Sequence, residues 1–103
     1  MHARILSIER KRAEIPSFLT GLRKQGFQVE TVLTGSEALR RIDDFQPDVV
    51  ILNAASLRTN GRRICRALRD NDENLPIIII LEPDQPSAED DCANVSLRLP
   101  FTI

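Results

Sequence analysis

PDVVILNAASLRTNG, residues 47–61, joins a short apolar run to a polar loop. The run itself, residues 49–52, consists of β-branched and leucine residues between turn signals, and the loop closes on Asn60-Gly61. A continuous apolar run of this length is typical of a strand buried on both faces, as in a parallel sheet. Chemistry in such sheets lies just beyond the carboxyl ends of the strands. Asn53 occupies that position, so its side chain decides the functional interpretation.

The composition indicates one ordinary globular domain. The chain has 103 residues, of which 42% are hydrophobic and 28% charged, and its net charge is −1. This charge gives no reason to expect nucleic acid or an anionic membrane as a partner, and the absence of Trp and Tyr disfavours stacking on single strands. No run approaches the roughly 20 apolar residues of a membrane span, and no signal peptide is visible. We therefore expect a cytoplasmic protein.

Histidine and cysteine chemistry is not indicated. His2 is the only histidine and stands beside the first methionine, so no His-based metal site or catalytic triad can be assembled. Cys65 and Cys92 lie in no CxxC or metal-like spacing. Cys65 falls on the apolar side of a predicted helix, which favours a plain buried thiol over a reactive one. The sequence thus predicts no metal site or catalytic triad built on histidine, and no reactive cysteine.

Hydrophobic periodicity predicts alternating strands and helices. Gly26 is the predicted C-cap of the first helix, and Thr34 with Glu37 forms a capping-box signature for the second. The pattern weakens after residue 81, where there is room for little more than one helical turn after Ser87. The predicted strands cover residues 3–8, 27–33, 49–52, 77–81 and 95–99, and the predicted helices cover 14–25, 34–46 and 61–70.

This order predicts a parallel five-stranded α/β sheet with right-handed crossovers. The strand at residues 27–33 alternates apolar and polar residues, which predicts an edge position. The strand at residues 77–81, IIIIL, is the most apolar in the chain and is predicted to be central.

In register, these segments resemble the receiver domain of two-component response regulators across essentially the whole chain. The matching pieces are ILSIER, LRKQGFQVETVLTGSEALRRI, QPDVVILN, NG, LPIIIIL and LPFT. The resemblance implies a flavodoxin-like doubly wound sheet with strand order 2-1-3-4-5. Compared with that family, we expect a reduced fourth helix and a fifth helix missing from this chain. We also expect residues 1–103 to be the N-terminal part of a longer protein.

The resemblance also implies five functional positions, and four of them have lost the required residue type. The two acids that hold Mg²⁺ after the first strand are here Glu9 and Arg10, and the phosphoacceptor aspartate is Asn53. The serine or threonine that ends the fourth strand is Leu81, and the lysine after the fifth strand is Leu99.

The chemistry of these replacements predicts a pseudo-receiver without phosphotransfer. A neutral amide is a very poor nucleophile toward phosphorus, and Mg²⁺ requires carboxylate oxygens. Leucine can neither hydrogen-bond to a phosphoryl group nor pair with it. We predict a structural remnant in which Arg10 neutralises Glu9 and hydrogen-bonds Asn53. The expected function is phosphorylation-independent regulation through a protein partner or an attached output domain, with a DNA-binding domain as the first expectation. We accordingly expect no catalytic residue, no metal, no cofactor and no enzymatic activity.

Two alternatives stay open. Arg58, Arg62 and Arg66 at the start of the third predicted helix could bind a small anion or a nucleotide, although a solvated basic face, also including Arg69, is the simpler interpretation. The second alternative is that the domain remains a weak phosphoacceptor. A homodimer is conceivable as well, with that basic face against the acids of a second copy, which are Glu82, Asp84, Glu89, Asp90 and Asp91.

Overall fold

The computed structural model describes residues 3–10, 18–57, 61–84 and 92–99. Five parallel strands form one sheet in the order β2-β1-β3-β4-β5, which confirms the predicted flavodoxin-like topology. No helix in these ranges is long and apolar enough to cross a membrane. The elements are β1 Arg4–Ile8, α1 Leu19–Lys24, β2 Gln28–Val32, α2 Gly35–Phe45, β3 Val49–Asn53, α3 Ala54–Leu57, α4 Arg62–Asn71, β4 Ile77–Leu81 and β5 Val95–Arg98.

The core lies on the two faces of the sheet. Apolar residues of β1, β3 and β4 alternate between these faces, because successive strand side chains point to opposite sides. One face carries Leu6, Leu52 and Ile79, which pack against buried residues of α2 and α4. The other face is centred on Ile5, Ile51 and Ile80, against which α1 places Leu22. As predicted, β2 is an edge strand and β4 is internal.

Helix ends follow the sequence signals. At the end of α1, Gly26 has a φ of 99°, its N–H donates to the Arg23 carbonyl at 3.0 Å, and the Phe27 N–H donates to the Leu22 carbonyl at 3.2 Å. These two bonds form a Schellman motif. At the start of α2, the Thr34 side chain accepts from the Glu37 N–H at 3.1 Å. Glu37 in turn accepts from the N–H of residue 33 rather than from that of Thr34, so the capping box is shifted by one residue.

The helices after β3 differ from the prediction. The predicted third helix is present as α4, Arg62–Asn71, but the short helix α3, Ala54–Leu57, stands where a loop was predicted. Four residues are too few to show a helical period. The start of the first predicted helix at residue 14, the reduced fourth helix after Ser87 and the region of the missing fifth helix all lie outside the described residues.

An ion pair fastens α2 to the edge strand β2. Arg41 of α2 donates two hydrogen bonds to the Glu30 carboxylate, one of them from Nη2 to Oε2 at 2.8 Å. The Arg41 guanidinium also lies 6.0 Å from the centre of the Phe45 ring. The hydrogen bonds from Arg41 hold the pKa of Glu30 below its ordinary value of 4.5, against the opposing effect of burial.

We expect Glu30→Gln to change the acid dependence of stability. A carboxyl group whose folded-state pKa is lowered stabilises the fold above the unfolded-state pKa, near 4.5, and loses this contribution as pH falls through the folded-state pKa. Urea unfolding between about pH 7 and about pH 3 should therefore show a difference between wild type and variant that shrinks below about pH 4.5. A difference that stays constant over this range would contradict the assigned role of the pair.

Candidate functional site

The five positions that the resemblance singled out all lie at the carboxyl edge of the sheet. Glu9 and Arg10 directly follow β1, and Asn53 is the last residue of β3. Leu81 ends β4, and Leu99 follows β5. The Leu99 N–H donates to the Leu81 carbonyl at 2.8 Å, so the last two positions are direct neighbours. Parallel strands end at one edge, which places the five residues there together.

Asn53 is buried, and its side chain caps α3. Only 2% of the residue is exposed. Its Oδ1 accepts a hydrogen bond from the Ser56 N–H at 3.1 Å, as an N-cap residue does from the third residue of a helix. The Ser56 hydroxyl donates to the Asn53 carbonyl oxygen at 2.8 Å. The amide oxygen of Asn53 therefore has a structural partner.

Ser56 also ties the end of β1 to this cap. The main-chain N–H of Arg10 donates to Ser56 Oγ at 3.0 Å. The sequence predicted that Arg10 neutralises Glu9 and hydrogen-bonds Asn53, but the structure places Ser56 between Arg10 and Asn53 and uses the backbone of Arg10. The Glu9 carboxylate instead accepts from the hydroxyl of the buried Ser7 at 3.3 Å.

The remaining two positions are apolar. Leu81 is 1% exposed and belongs to the core cluster on the α2 and α4 side of the sheet. Leu99 is partly buried and packs against the cluster on the opposite side, around Ile51 and Ile80. Both side chains therefore contribute to the apolar core, on opposite faces of the sheet.

The residues present do not fit Mg²⁺, the metal that the resemblance implies. Glu9 is the only carboxylate at the edge among the five positions, Arg10 adds a positive charge, and Asn53 Oδ1 already accepts from Ser56. Mg²⁺ is normally held by carboxylates in near-octahedral oxygen geometry. In the described ranges, no three His, Cys, Asp or Glu side chains come close enough to form a metal site.

Arg69 does not belong to the basic face with which the sequence grouped it. Arg62 and Arg66 are exposed on α4, and Arg58 lies outside the described residues. Arg69 is partly buried, and its guanidinium donates to main-chain carbonyls at the end of α4 and before β5. The partners are Glu73 at 2.9 Å, Leu75 at 2.7 Å, Cys92 at 2.8 and 3.1 Å, and Asp72 at 3.4 Å. The prediction of a solvated role was wrong for this residue, because loop carbonyls surround it.

The acidic stretch proposed for a homodimer is only partly described. Glu82 and Asp84 follow β4, whereas Glu89, Asp90 and Asp91 lie outside the described residues. The homodimer therefore stays a prediction.

The cysteines differ from the prediction. Cys65 is buried on α4, as expected, but Cys65 and Cys92 are joined in a disulfide with their Cα atoms 5.9 Å apart. Neither cysteine of the chain is a free thiol. Their separation of 27 residues gave no signal, because only the packing of α4 against the segment before β5 brings them together.

Ser56 is the site residue that the sequence analysis missed. A signal for it exists in the sequence, since Asn53 and Ser56 have the spacing of an N-cap and the third residue of a helix. That spacing is a weak signal, because the apolar run at residues 49–52 followed by the dipeptide Asn60-Gly61 is equally typical of a strand followed by a loop.

Comparison with known proteins agrees with this fold. The response regulator receiver domain family matches residues 5–97. Response regulator MprA from Mycobacterium sp. strain KMS is 36% identical over 87 residues, which cover 84% of this chain and 38% of that protein. MprA from Mycobacterium tuberculosis is 34% identical over the same length. The chain thus spans well under half the length of these relatives.

Solved structures show the same fold at lower identity. The chemotaxis response regulator CheY4 of Vibrio cholerae has a TM-score of 0.75 at 22% identity, over 98% of this chain and 89% of CheY4. NtrX from Brucella abortus, solved in complex with ADP, has a TM-score of 0.78 at 21% identity, over 99% of this chain and 24% of NtrX.

The topology defines a flavodoxin-like α/β domain. The chain belongs to the response regulator receiver domain family, a class of non-enzymatic signalling modules in two-component systems.

Proposed function

We propose that this receiver domain regulates without being phosphorylated. The observation that carries the proposal is Asn53, a buried amide at the phosphoacceptor position whose oxygen accepts from the Ser56 N–H at 3.1 Å. An acyl phosphate forms when a carboxylate oxygen attacks phosphorus, and an amide is a very poor substitute for that nucleophile.

The neighbouring residues support the same conclusion independently. Phosphoryl transfer depends on groups that stabilise charge, chiefly a metal ion and cationic or hydrogen-bonding side chains. Leu81 and Leu99 offer neither, and Arg10 replaces an acid that the metal would need. With four of the five functional residue types replaced, the domain is a pseudo-receiver, in which the fold is kept for its contacts with other proteins.

Regulation then requires a partner. The relatives extend well beyond the matched region, since the match covers 38% of MprA. We infer that this domain acts in the cytoplasm on an output domain, with DNA binding as the first expectation, or on a separate protein. Any switching arises from a ligand or partner that binds two conformations with different affinity.

Acetyl phosphate labelling in the presence of Mg²⁺ tests the proposal. We expect no label on the wild-type chain and far less on Asn53→Asp alone than on a variant that also restores the other positions. That variant combines Asn53→Asp with Arg10→Asp, Leu81→Thr and Leu99→Lys. Leu81 is 1% exposed, and a threonine hydroxyl buried there would be costly for folding. A triple variant that keeps Leu81 and carries the other three substitutions is therefore labelled in parallel.

Each outcome of these experiments either refutes or supports the proposal. Label on the wild type that mass spectrometry maps to residue 53 would refute the proposal, as would saturable shifts around Asn53 in the amide spectrum on adding Mg²⁺ and beryllofluoride. An unlabelled wild type beside a labelled restored variant supports it, because the restored variant shows that the fold itself permits the reaction.

A further inference from the structure

The disulfide between Cys65 and Cys92 lies outside the candidate functional site, since neither cysteine is among its five positions. Cys65 lies in α4 and is fully buried, and Cys92 lies three residues before β5 and is 6% exposed. The 5.9 Å between their Cα atoms is the usual separation for a disulfide. The bond therefore joins α4 to the segment that leads into the edge strand β5.

A set of hydrogen bonds holds the same segment. Arg69 Nη2 donates to the Cys92 carbonyl at 2.8 Å and to Asn94 Oδ1 at 3.0 Å. Asn94 in turn exchanges two hydrogen bonds with Ile77 at the start of β4, through its N–H at 2.9 Å and its Oδ1 at 2.8 Å. We call residues 92–94 together with Arg69 the β5 anchor.

The anchor determines how firmly β5 is attached. In the described part of the chain, β5 is an edge strand that pairs with β4, so its position depends on that ladder and on the segment preceding it. The disulfide and Arg69 both fix Cys92 to α4, one by a covalent bond and the other by hydrogen bonds. Loss of the covalent bond would leave the hydrogen bonds from Arg69 to hold Cys92 to α4, so we expect the anchor to loosen.

We propose that Cys65 and Cys92 form a reversible dithiol–disulfide site that controls the attachment of β5. In reduction by a dithiol, a thiolate attacks the sulfur of Cys92, the more exposed of the two residues, the bond between the two protein sulfurs breaks, and the Cys65 thiolate leaves and takes up a proton. The second thiolate of the reagent then displaces Cys92, which is also protonated. The protein gains two electrons and two protons, and the reagent becomes a cyclic disulfide.

Oxidation is the reverse exchange with a small disulfide such as oxidised glutathione. One protein thiolate forms a mixed disulfide and releases one glutathione thiol, and the other protein thiolate then displaces the second. The site thus responds to the thiol–disulfide balance around it, and its effect is on an edge strand that a partner could contact.

Hydrogen exchange on the full chain tests this site, with dithiothreitol and oxidised glutathione as the reagents. In the oxidised form, we expect the amides of Asn94 and Leu99 to be protected about as well as that of Val50, which is fully buried in the central strand β3. In the reduced form, their protection should fall at least about tenfold below that of Val50, because they exchange by local opening of β5. Alkylation with iodoacetamide counts the thiols in each form.

A double variant, Cys65→Ala with Cys92→Ala, is the matched control. Its ratio of protection between Asn94 and Val50 should be low and should respond to neither reagent. A ratio in the wild type that is the same in both redox forms would overturn the proposal, and so would failure of oxidised glutathione to restore both the disulfide and the high ratio.

Discussion

Replacing Arg69 by methionine should lower the free energy of unfolding by about 3 kcal/mol, because hydrogen bonds from charged groups are each worth roughly 1.5–3 kcal/mol and do not add fully. The Arg69 guanidinium donates to the carbonyls of Glu73, Leu75 and Cys92 at 3.1 Å or less. Methionine keeps most of the apolar stem but leaves these carbonyls without their donor. Urea unfolding followed by circular dichroism measures the change.

A second arginine of α4 provides the control. Arg63 is exposed, and its replacement by methionine should change stability by no more than about 0.5 kcal/mol. Arg69→Lys should recover little of the loss, since an ammonium group cannot reproduce a planar fork that reaches several carbonyls at once. Equal effects at Arg63 and Arg69 would show that the observed bonds contribute nothing specific.

Arg69 and the disulfide hold the same residue, so their contributions should be coupled. The cost of Arg69→Met is expected to differ between the wild-type background and the double cysteine variant, because both links end at Cys92. Two links that acted on separate parts of the fold would instead give additive costs.

The sheet could be predicted from the sequence because its signals are local. An apolar run such as IIIIL and the helical spacing of α2 each specify an element within about a dozen residues. The resemblance to receiver domains implied the strand order, and the rules for parallel α/β topology predicted a parallel sheet. The same rules placed Glu9, Asn53 and Leu81 at one edge. These predictions needed no knowledge of side-chain contacts.

The predictions that failed depended on contacts between distant segments. The partners of Arg69 are carbonyl oxygens, which every residue carries and which no sequence pattern marks. The pairing of Cys65 with Cys92 requires that the segment before β5 packs on α4. Ser56 lies close to Asn53 in sequence, but its bond to Arg10 of the β1 end is set by the sheet. Tertiary placement decides all three.

Gly61 is the position at which a single methyl group should cost most. Gly61 is the N-cap of α4 and has a φ of 76°, a conformation that favours glycine. A Cβ atom there would lie 2.9 Å from Leu52 Cδ2 and 3.3 Å from the Ala54 Cβ. Leu52 is fully buried beneath it, so its side chain has no room to withdraw.

We expect Gly61→Ala to lower the free energy of unfolding by about 3 kcal/mol, of which the left-handed backbone accounts for roughly 1–2 kcal/mol and the overpacking for the rest. Urea unfolding measures this loss. Gly21→Ala is the matched control, because Gly21 lies inside α1 and a Cβ atom added there would meet nothing within 4 Å. That change should stabilise the domain by about 0.5–1 kcal/mol.

The decisive result is a change in the free energy of unfolding that has opposite signs for Gly61→Ala and Gly21→Ala, since both substitutions add the same methyl group to a glycine next to or within a helix. If Gly61→Ala were neutral, the backbone at the start of α4 would have to relax. The Cys65 N–H donates to the Gly61 carbonyl at 2.9 Å, so such a relaxation would also move the helix turn that carries the disulfide. A destabilised Gly61→Ala variant would instead show that the backbone at Gly61 cannot move away from Leu52 and Ala54, against which the start of α4 is packed.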